Sequence, residues 1–188
     1  MNDSLRQAIA GVLIPFAIML GISNSSGAEV AQLLQNLNMT GYSRVTIPPE
    51  FNGRTLDGHT ISLASLQRKL VILNFWATWC LECRPEMPAF ERLHREFSTQ
   101  GLAVVGINAR ESSTTIRDYA KGLGLTFPLV LDPSGQINST YGVIGLPTTF
   151  LIGRDGRAVA LVVGPRDWSG NPSRELIRTL LAGASTAK

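Results

Sequence analysis

Cysteine is scarce in this chain: only two are present among 188 residues, and they stand three positions apart as Cys80 and Cys83. That count excludes a scaffold built on several disulfide bridges. It also leaves no third thiol to mispair in an oxidising compartment. A structural zinc site normally needs four ligands, but there is no second CxxC, and His59 and His94 have no ligand-like spacing. We therefore expect no metal site.

Clustered positive charge is missing as well. The formal net charge is +3, only 16% of residues are charged, and the basic residues are scattered along the chain. A mildly basic globular surface explains this distribution better than a nucleic-acid-binding patch does. Because 44% of residues are hydrophobic, the chain can bury a proper core. We expect one folded domain plus some extra sequence, and no nucleic-acid partner.

The apolar run at the N-terminus is short for a membrane span. It covers residues 8–22 and contains Pro15, whereas a spanning helix needs about 20 apolar residues. A basic residue precedes it and a polar stretch follows it, with small residues, Ser26 and Ala28, where a signal peptidase would cleave. Residues 1–28 are therefore predicted to be either a cleaved signal peptide or a retained signal-anchor that holds the protein to the membrane. No cysteine follows the run, which excludes a lipid anchor on cysteine.

The order of apolar segments predicts an α/β fold. Residues 29–46 are interpreted as a connector with helical spacing, and residues 47–188 as the folded domain. An N-terminal β-hairpin is predicted around the tight turn at residues 57–58. Strands alternating with helices then require parallel pairing, and a closing hairpin requires antiparallel pairing. The expected architecture is a central mixed sheet flanked by helices.

The two cysteines lie where a buried strand over residues 70–76 meets a predicted helix over residues 80–97. A helix N-terminus stabilises negative charge, so the pKa of Cys80 should fall and its thiolate should attack disulfides. Cys83, one helical turn on, could then resolve the mixed disulfide. The alternatives are half of a zinc site or a purely structural bridge, which would constrain little of the unfolded chain. Pro88 should bend this helix.

A second motif, residues 145–150, places Pro147 just before a predicted strand. Folded proteins tolerate a cis peptide bond almost only before proline. A cis bond here would turn the backbone of Leu146 outward, where a substrate peptide could pair with it as an added strand. Trp79, beside Cys80, is predicted to be a lid over the reactive sulfur. We therefore assign Trp79, Leu146 and Pro147 to substrate binding.

Together these motifs resemble the TlpA/ResA-type thioredoxin-like reductases of the bacterial cell envelope. The resemblance covers residues 48–181 and is carried by residues 73–88, 104–111 and 145–150. It implies the thioredoxin fold, with an inserted helix and strand over residues 111–131. It also implies that no cofactor is used beyond the redox-active pair of cysteines.

Two acids match the same family. By resemblance, Glu86 lies near the disulfide and helps to set thiol pKa values and proton transfer, and Glu111 lines the adjacent substrate cleft. The sequence itself shows that Glu86 lies three residues after Cys83, where it could equally be a first-turn acid that complements the helix dipole. Many family members have a proline between the cysteines, but this chain has Leu81 and Glu82. An acid there should disfavour the thiolate, which leaves the redox potential and the direction of electron flow open.

The resemblance implies a protein-disulfide reductase on the outer, periplasmic side of the cytoplasmic membrane. Its substrates would be exported proteins such as apocytochrome c, and a membrane electron donor of the CcdA/DsbD type would regenerate the dithiol. The alternatives are a peroxiredoxin-like thiol peroxidase and a general envelope dithiol–disulfide exchange protein. A peroxidatic cysteine usually follows a Thr-x-x motif, but Thr78 is only two residues before Cys80, and Trp79 fills the gap.

Overall fold

A computed structural model describes residues 25–183 of the chain. The apolar run over residues 8–22, predicted as a signal or anchor, lies outside the described residues. Within them, no helix is both long enough and apolar enough to cross a membrane.

A mixed eight-stranded sheet forms the centre of the described chain, and helices flank it. The strands are β1 (Thr40–Gly41), β2 (Asn52–Thr55), β3 (Thr60–Ser62), β4 (Leu70–Trp76), β5 (Leu102–Ala109), β6 (Leu129–Asp132), β7 (Thr148–Ile152) and β8 (Ala158–Val163). The α-helices are α1 (Ser25–Asn36), α2 (Glu86–Phe97), α3 (Ser113–Leu123), α4 (Gln136–Thr140) and α5 (Asn171–Gly183). The strand order is β1-β8-β7-β4-β5-β6-β2-β3. This arrangement confirms the predicted α/β thioredoxin fold.

The sheet owes its centre to β4, whose seven residues are all buried. It lies parallel to β5 and antiparallel to β7. Successive side chains of a strand point to opposite faces, so β4 feeds two separate cores: first Leu70, Ile72 and Trp76, then Val71, Leu73 and Phe75. A continuous apolar run is therefore what a central strand covered on both faces requires. The predicted β2–β3 hairpin is also present and pairs antiparallel.

Residues 29–46, interpreted above as a connector, are packed onto the domain instead. The helix α1 contacts α5, and β1 pairs antiparallel with β8. Leu33, Leu34 and Leu37 are buried in the same core as α2. Their helical spacing thus marks the apolar face of a packed helix, so this segment is part of the folded unit.

The helix predicted to begin at Cys80 begins at Glu86. Between them the chain forms turns, in which the N–H of Cys83 donates to the carbonyl of Cys80 at 3.2 Å. Pro85 and Pro88 have no N–H to donate to the carbonyls four residues earlier, so a continuous α-helix from Cys80 would lack two hydrogen bonds. Pro88 lies in the first turn of α2, where an N–H has no partner within the helix anyway, and not in the interior where we predicted a bend.

Candidate active site

Cys80 and Cys83 form a disulfide in the turn that follows β4, with their Cα atoms 5.3 Å apart. Cys80 is 6% exposed and Cys83 only 1%. The sulfur nearer to solvent therefore belongs to Cys80, as expected for the residue that attacks a partner. The CxxC predicted from the sequence is thus joined as a pair.

The group placed to stabilise a thiolate at Cys80 is a single backbone N–H rather than a helix N-terminus. Because α2 begins six residues later, its first turn does not start at Cys80. Instead, the backbone N–H of Cys83 points at the Cys80 sulfur, with an N–S distance of 3.1 Å. A hydrogen bond to the charged form of a thiol favours the thiolate. The geometry therefore supports the predicted nucleophile through one identified donor.

Apolar side chains lie exposed on both sides of Cys80 in the sequence. Trp79 is 64% exposed and Leu81 is 71% exposed. Trp76, by contrast, is fully buried and packs against Tyr119, with ring centroids 5.3 Å apart. Neighbouring exposed apolar side chains are typical of a surface that contacts another molecule. Trp79 is thus available to a partner, whereas Trp76 belongs to the core.

The loop before β7 reaches the same end of the sheet. Thr148, the first residue of β7, pairs with Phe75 near the end of β4, so residues 145–147 stand beside the turn that carries the cysteines. The Leu146–Pro147 peptide bond is cis, as the sequence suggested. Within residues 25–183, no group hydrogen-bonds to the backbone N–H or carbonyl of Leu146. This residue therefore has both main-chain groups free to pair with an added strand.

Glu86, the first residue of α2, is a buried carboxyl that is only 2% exposed. Its Oε1 accepts the backbone N–H of Arg166 at 2.8 Å and the indole N–H of Trp168 at 2.9 Å. Its Oε2 has no hydrogen-bond partner among the described residues. Burial raises the pKa of Glu86 to about 7, against the opposing effect of both donors and of the Arg166 charge, while Glu82 adds to the rise.

A carboxyl with a pKa near neutrality can both accept and donate a proton under ordinary conditions. The backbone N–H of Glu86 donates to the carbonyl of Cys83 at 3.0 Å, which ties the start of α2 to the CxxC turn. Sequence reasoning identified Glu86 but missed Arg166 and Trp168, the residues that hold it. Their only sequence signal was a buried-type aromatic, Trp168, in an otherwise polar loop.

Glu111, just beyond the end of β5, ties two loops together. Its carboxylate accepts the backbone N–H of Thr78 at 2.8 Å and the side-chain amide of Asn108 at 2.6 Å. The Thr78 hydroxyl donates to the same carboxylate. The residue predicted to line the cleft therefore also fixes the chain two positions before Cys80.

We expect Glu111→Ala to destabilise the oxidised protein by about 1–2 kcal/mol, because the Thr78 N–H loses a charged acceptor. Hydrogen exchange of the Thr78 amide should accelerate as the turn loosens, and urea unfolding should give the free-energy change. Glu175→Ala is the matched control, since Glu175 is exposed and its side chain makes no hydrogen bond within residues 25–183. Unchanged protection of the Thr78 amide would contradict this role.

The chemistry that the site offers is that of two sulfurs and one carboxyl. Among residues 25–183, no three His, Cys, Asp or Glu side chains come together as a group that could hold a metal ion. Cys80 and Cys83 supply redox-active sulfur, and Glu86 supplies a carboxyl whose pKa is raised to about 7 by burial.

Comparison with known proteins agrees with this geometry. Residues 46–161 match the AhpC/TSA family. The chain is 38% identical over 116 residues to the thiol-disulfide oxidoreductase ResA of Bacillus thuringiensis subsp. konkukian (strain 97-27), covering 62% of this chain and 67% of that protein.

Solved structures give the same picture. A thioredoxin-family thiol:disulfide interchange protein from Chlorobium tepidum TLS superposes with a TM-score of 0.66 at 32% identity, covering 74% of this chain and 99% of that one. A secreted thiol-disulfide isomerase from Corynebacterium glutamicum gives a TM-score of 0.63 at 26% identity, covering 77% of this chain and 90% of that one. The relatives in both comparisons are thus proteins of thiol–disulfide chemistry.

Proposed function

The chain belongs to the AhpC/TSA family and is a thiol–disulfide oxidoreductase, and from that premise we propose that it reduces disulfides in exported proteins. The observation that carries the proposal is the disulfide itself. Its outer sulfur, on Cys80, accepts the N–H of Cys83, and Glu86, a buried carboxyl at the start of α2, donates its backbone N–H to the carbonyl of Cys83. These groups suit a reaction in which Cys80 attacks a substrate disulfide, Cys83 resolves the mixed disulfide, and Glu86 accepts a proton.

In the proposed reaction the reduced protein acts first through Cys80. Its thiolate attacks one sulfur of the substrate disulfide, so a mixed disulfide forms and the second substrate sulfur leaves as a thiolate that takes up a proton. Cys83 then loses its proton to the carboxylate of Glu86 and attacks the Cys80 sulfur. The first substrate sulfur leaves as a thiolate and takes the proton back from Glu86, the Cys80–Cys83 bond forms, and two electrons have passed to the substrate.

Substrate recognition is assigned to the surface around the disulfide. The free N–H and carbonyl of Leu146 offer main-chain hydrogen bonds to an extended segment of the substrate. Trp79 and Leu81 offer apolar contacts, since both are largely exposed. Main-chain pairing is indifferent to sequence, so this arrangement favours disulfides in unfolded or flexible stretches of polypeptide.

The place of action is proposed to be the outer side of the cytoplasmic membrane. The apolar run over residues 8–22 supports export or anchoring, and one structural neighbour is a secreted thiol-disulfide isomerase. Apocytochrome c as substrate and a membrane electron donor of the CcdA/DsbD type are supported by the resemblance to TlpA/ResA-type reductases. A general exchange protein of the envelope is the alternative within the same chemistry.

The test is to trap the mixed disulfide with Cys83→Ser in the cell envelope. Without the resolving thiol, Cys80 should remain bonded to its substrates, which mass spectrometry of the captured adducts then identifies. Cys80→Ser is the control, because it lacks the attacking sulfur and should capture nothing. Exported proteins among the adducts support the proposal, and a c-type cytochrome among them identifies the pathway.

The opposite result would point to the peroxidase alternative. If no protein is captured while the purified wild-type protein consumes peroxide, the proposed reductase function fails. A peroxidatic site would use the threonine before its cysteine. Here the N–H and hydroxyl of Thr78 both donate to Glu111, which gives this alternative little support.

A further inference from the structure

The loop between β8 and α5 contacts both the segment that contains Pro147 and the buried carboxyl of Glu86. The N–H of Gly164 donates to the carbonyl of Pro147 at 2.9 Å, which joins the loop to the proposed substrate-binding segment. Two residues on, the N–H of Arg166 donates to Glu86. The conformation of this loop therefore decides where one hydrogen-bond donor of the buried carboxyl stands.

The side chain of Arg166 connects this loop to the end of the N-terminal helix. Its Nε and Nη2 both donate to the carbonyl of Asn38, at 3.1 and 2.9 Å, and its Nη1 donates to the carbonyl of Pro165 at 2.7 Å. Asn38 has a left-handed backbone conformation, with φ of 52°, just after α1 ends. A guanidinium at the C-terminal end of a helix is also favoured by the helix dipole.

The carbonyl of Asn38 is a fixed point because the chain on both sides of it is buried. Leu37 and Met39 are 8% and 6% exposed, and Leu34 is 5% exposed. The N–H of Met39 closes the end of α1 on the carbonyl of Leu34 at 2.8 Å. Arg166 therefore bonds to an acceptor whose position depends on how α1 is packed.

None of these residues belongs to the part of the chain that matches the family. The match covers residues 46–161, whereas Asn38, Arg166 and Trp168 lie before or after it. The contact is thus made by the two flanking segments, which meet each other and the buried carboxyl at one place.

We propose that Arg166 is a positioning residue: its bond to Asn38 holds the loop that carries the hydrogen-bond donors of Glu86, and so couples the packing of α1 to that carboxyl. The inference rests on the proposed role of Glu86 in proton transfer. Arg166 itself touches no reacting atom, and its effect passes through the carboxyl that its N–H contacts.

The expected direction follows from the charges and donors around Glu86. Burial favours the protonated carboxyl. The N–H donors of Arg166 and Trp168 and the positive charge of Arg166 favour the carboxylate, whereas the negative charge of Glu82 opposes it. Releasing the loop weakens the donors. The pKa of Glu86 should therefore rise above its value of about 7 when the contact between Arg166 and Asn38 is lost.

The test compares Arg166→Ala and Arg166→Gln in the full chain, by carbon-13 NMR titration of the Glu86 carboxyl in the oxidised protein. Both variants remove the positive charge, but glutamine keeps an N–H donor for Asn38. Arg166→Ala should shift the titration midpoint upward by roughly one pH unit, and Arg166→Gln by clearly less. Arg154→Ala is the matched control, because Arg154 also bonds backbone carbonyls, those of residues 68 and 181, away from the site.

A second variant tests the role of α1 without altering a charge. Leu34→Ala loosens the helix and should shift the Glu86 midpoint upward, in the same direction as Arg166→Ala. The inference is overturned if Arg166→Ala and Arg166→Gln shift the midpoint equally, or if Leu34→Ala leaves it unchanged. The Cys83→Ser trapping experiment decides the proposed function separately, whereas the NMR midpoints alone decide the coupling.

Discussion

Replacing Cys80 with serine is expected to slow single-turnover disulfide exchange by at least about 10³-fold, since it removes the nucleophile. Cys83→Ser should leave that first step largely intact, because the attacking sulfur remains. The structure predicts this asymmetry from two facts. Cys80 is the more exposed of the two, and its sulfur is the one that accepts a backbone N–H.

The measurement is stopped-flow reaction of each reduced variant with a small aromatic disulfide. Cys83→Ser serves as the matched control, because it also removes one thiol and the native disulfide. A larger loss in Cys83→Ser than in Cys80→Ser would assign the attack to the inner sulfur and reverse the proposed order of steps.

Glu86→Gln is expected to change the free energy of unfolding differently in acid and in base. Relative to wild type, the variant should be about 3 kcal/mol more favourable at pH 8 than it is in acid. The pKa of Glu86 is about 7 in the folded protein against an ordinary value of 4.5, because the carboxyl is buried. A raised pKa means that the folded state binds the proton more tightly than the unfolded state does. The resulting stability is fully present below pH 4.5 and is lost as the pH rises through about 7.

Urea unfolding of the oxidised protein between pH 4.5 and 8 measures this effect. The free energy of unfolding of the wild type should fall as the pH rises through about 7, and that of Glu86→Gln should not show this fall. Glu91→Gln is the control with the opposite sign. Burial raises the pKa of Glu91, but the Thr126 N–H and hydroxyl and the Arg95 charge outweigh it and hold that pKa below its usual value. That variant should lose stability at neutral pH, and parallel curves for wild type and Glu86→Gln would refute the argument.

The features that the sequence predicted are those encoded by neighbouring residues. The apolar run of β4, the CxxC that follows it and the proline before β7 each have a local pattern, and the structure contains all three. The start of α2 was misplaced because two prolines, Pro85 and Pro88, had more effect than the apolar spacing around them. The spacing of apolar residues does not reflect the backbone hydrogen bonds that a helix would lack at its prolines.

The features that escaped prediction are contacts between distant parts of the chain. Arg166 and Trp168 lie 80 and 82 residues from Glu86, and neither has a periodicity that points to it. The packing of α1 was missed for a related reason: a short amphipathic helix before a pair of prolines has the same pattern whether it links two units or covers one. Only the burial of its leucines distinguishes the two cases.

The order of the strands has a consequence for solubility. A protein that handles unfolded chains constantly meets extended segments able to add to an exposed sheet edge, the first event in aggregation. In the described chain the outermost strands are β1 and β3, of two and three residues, too short to template another sheet. The free backbone at Leu146 is a single residue, which is also too short to extend the sheet. The outer edges of the sheet therefore offer an unfolded chain too little backbone to start aggregation.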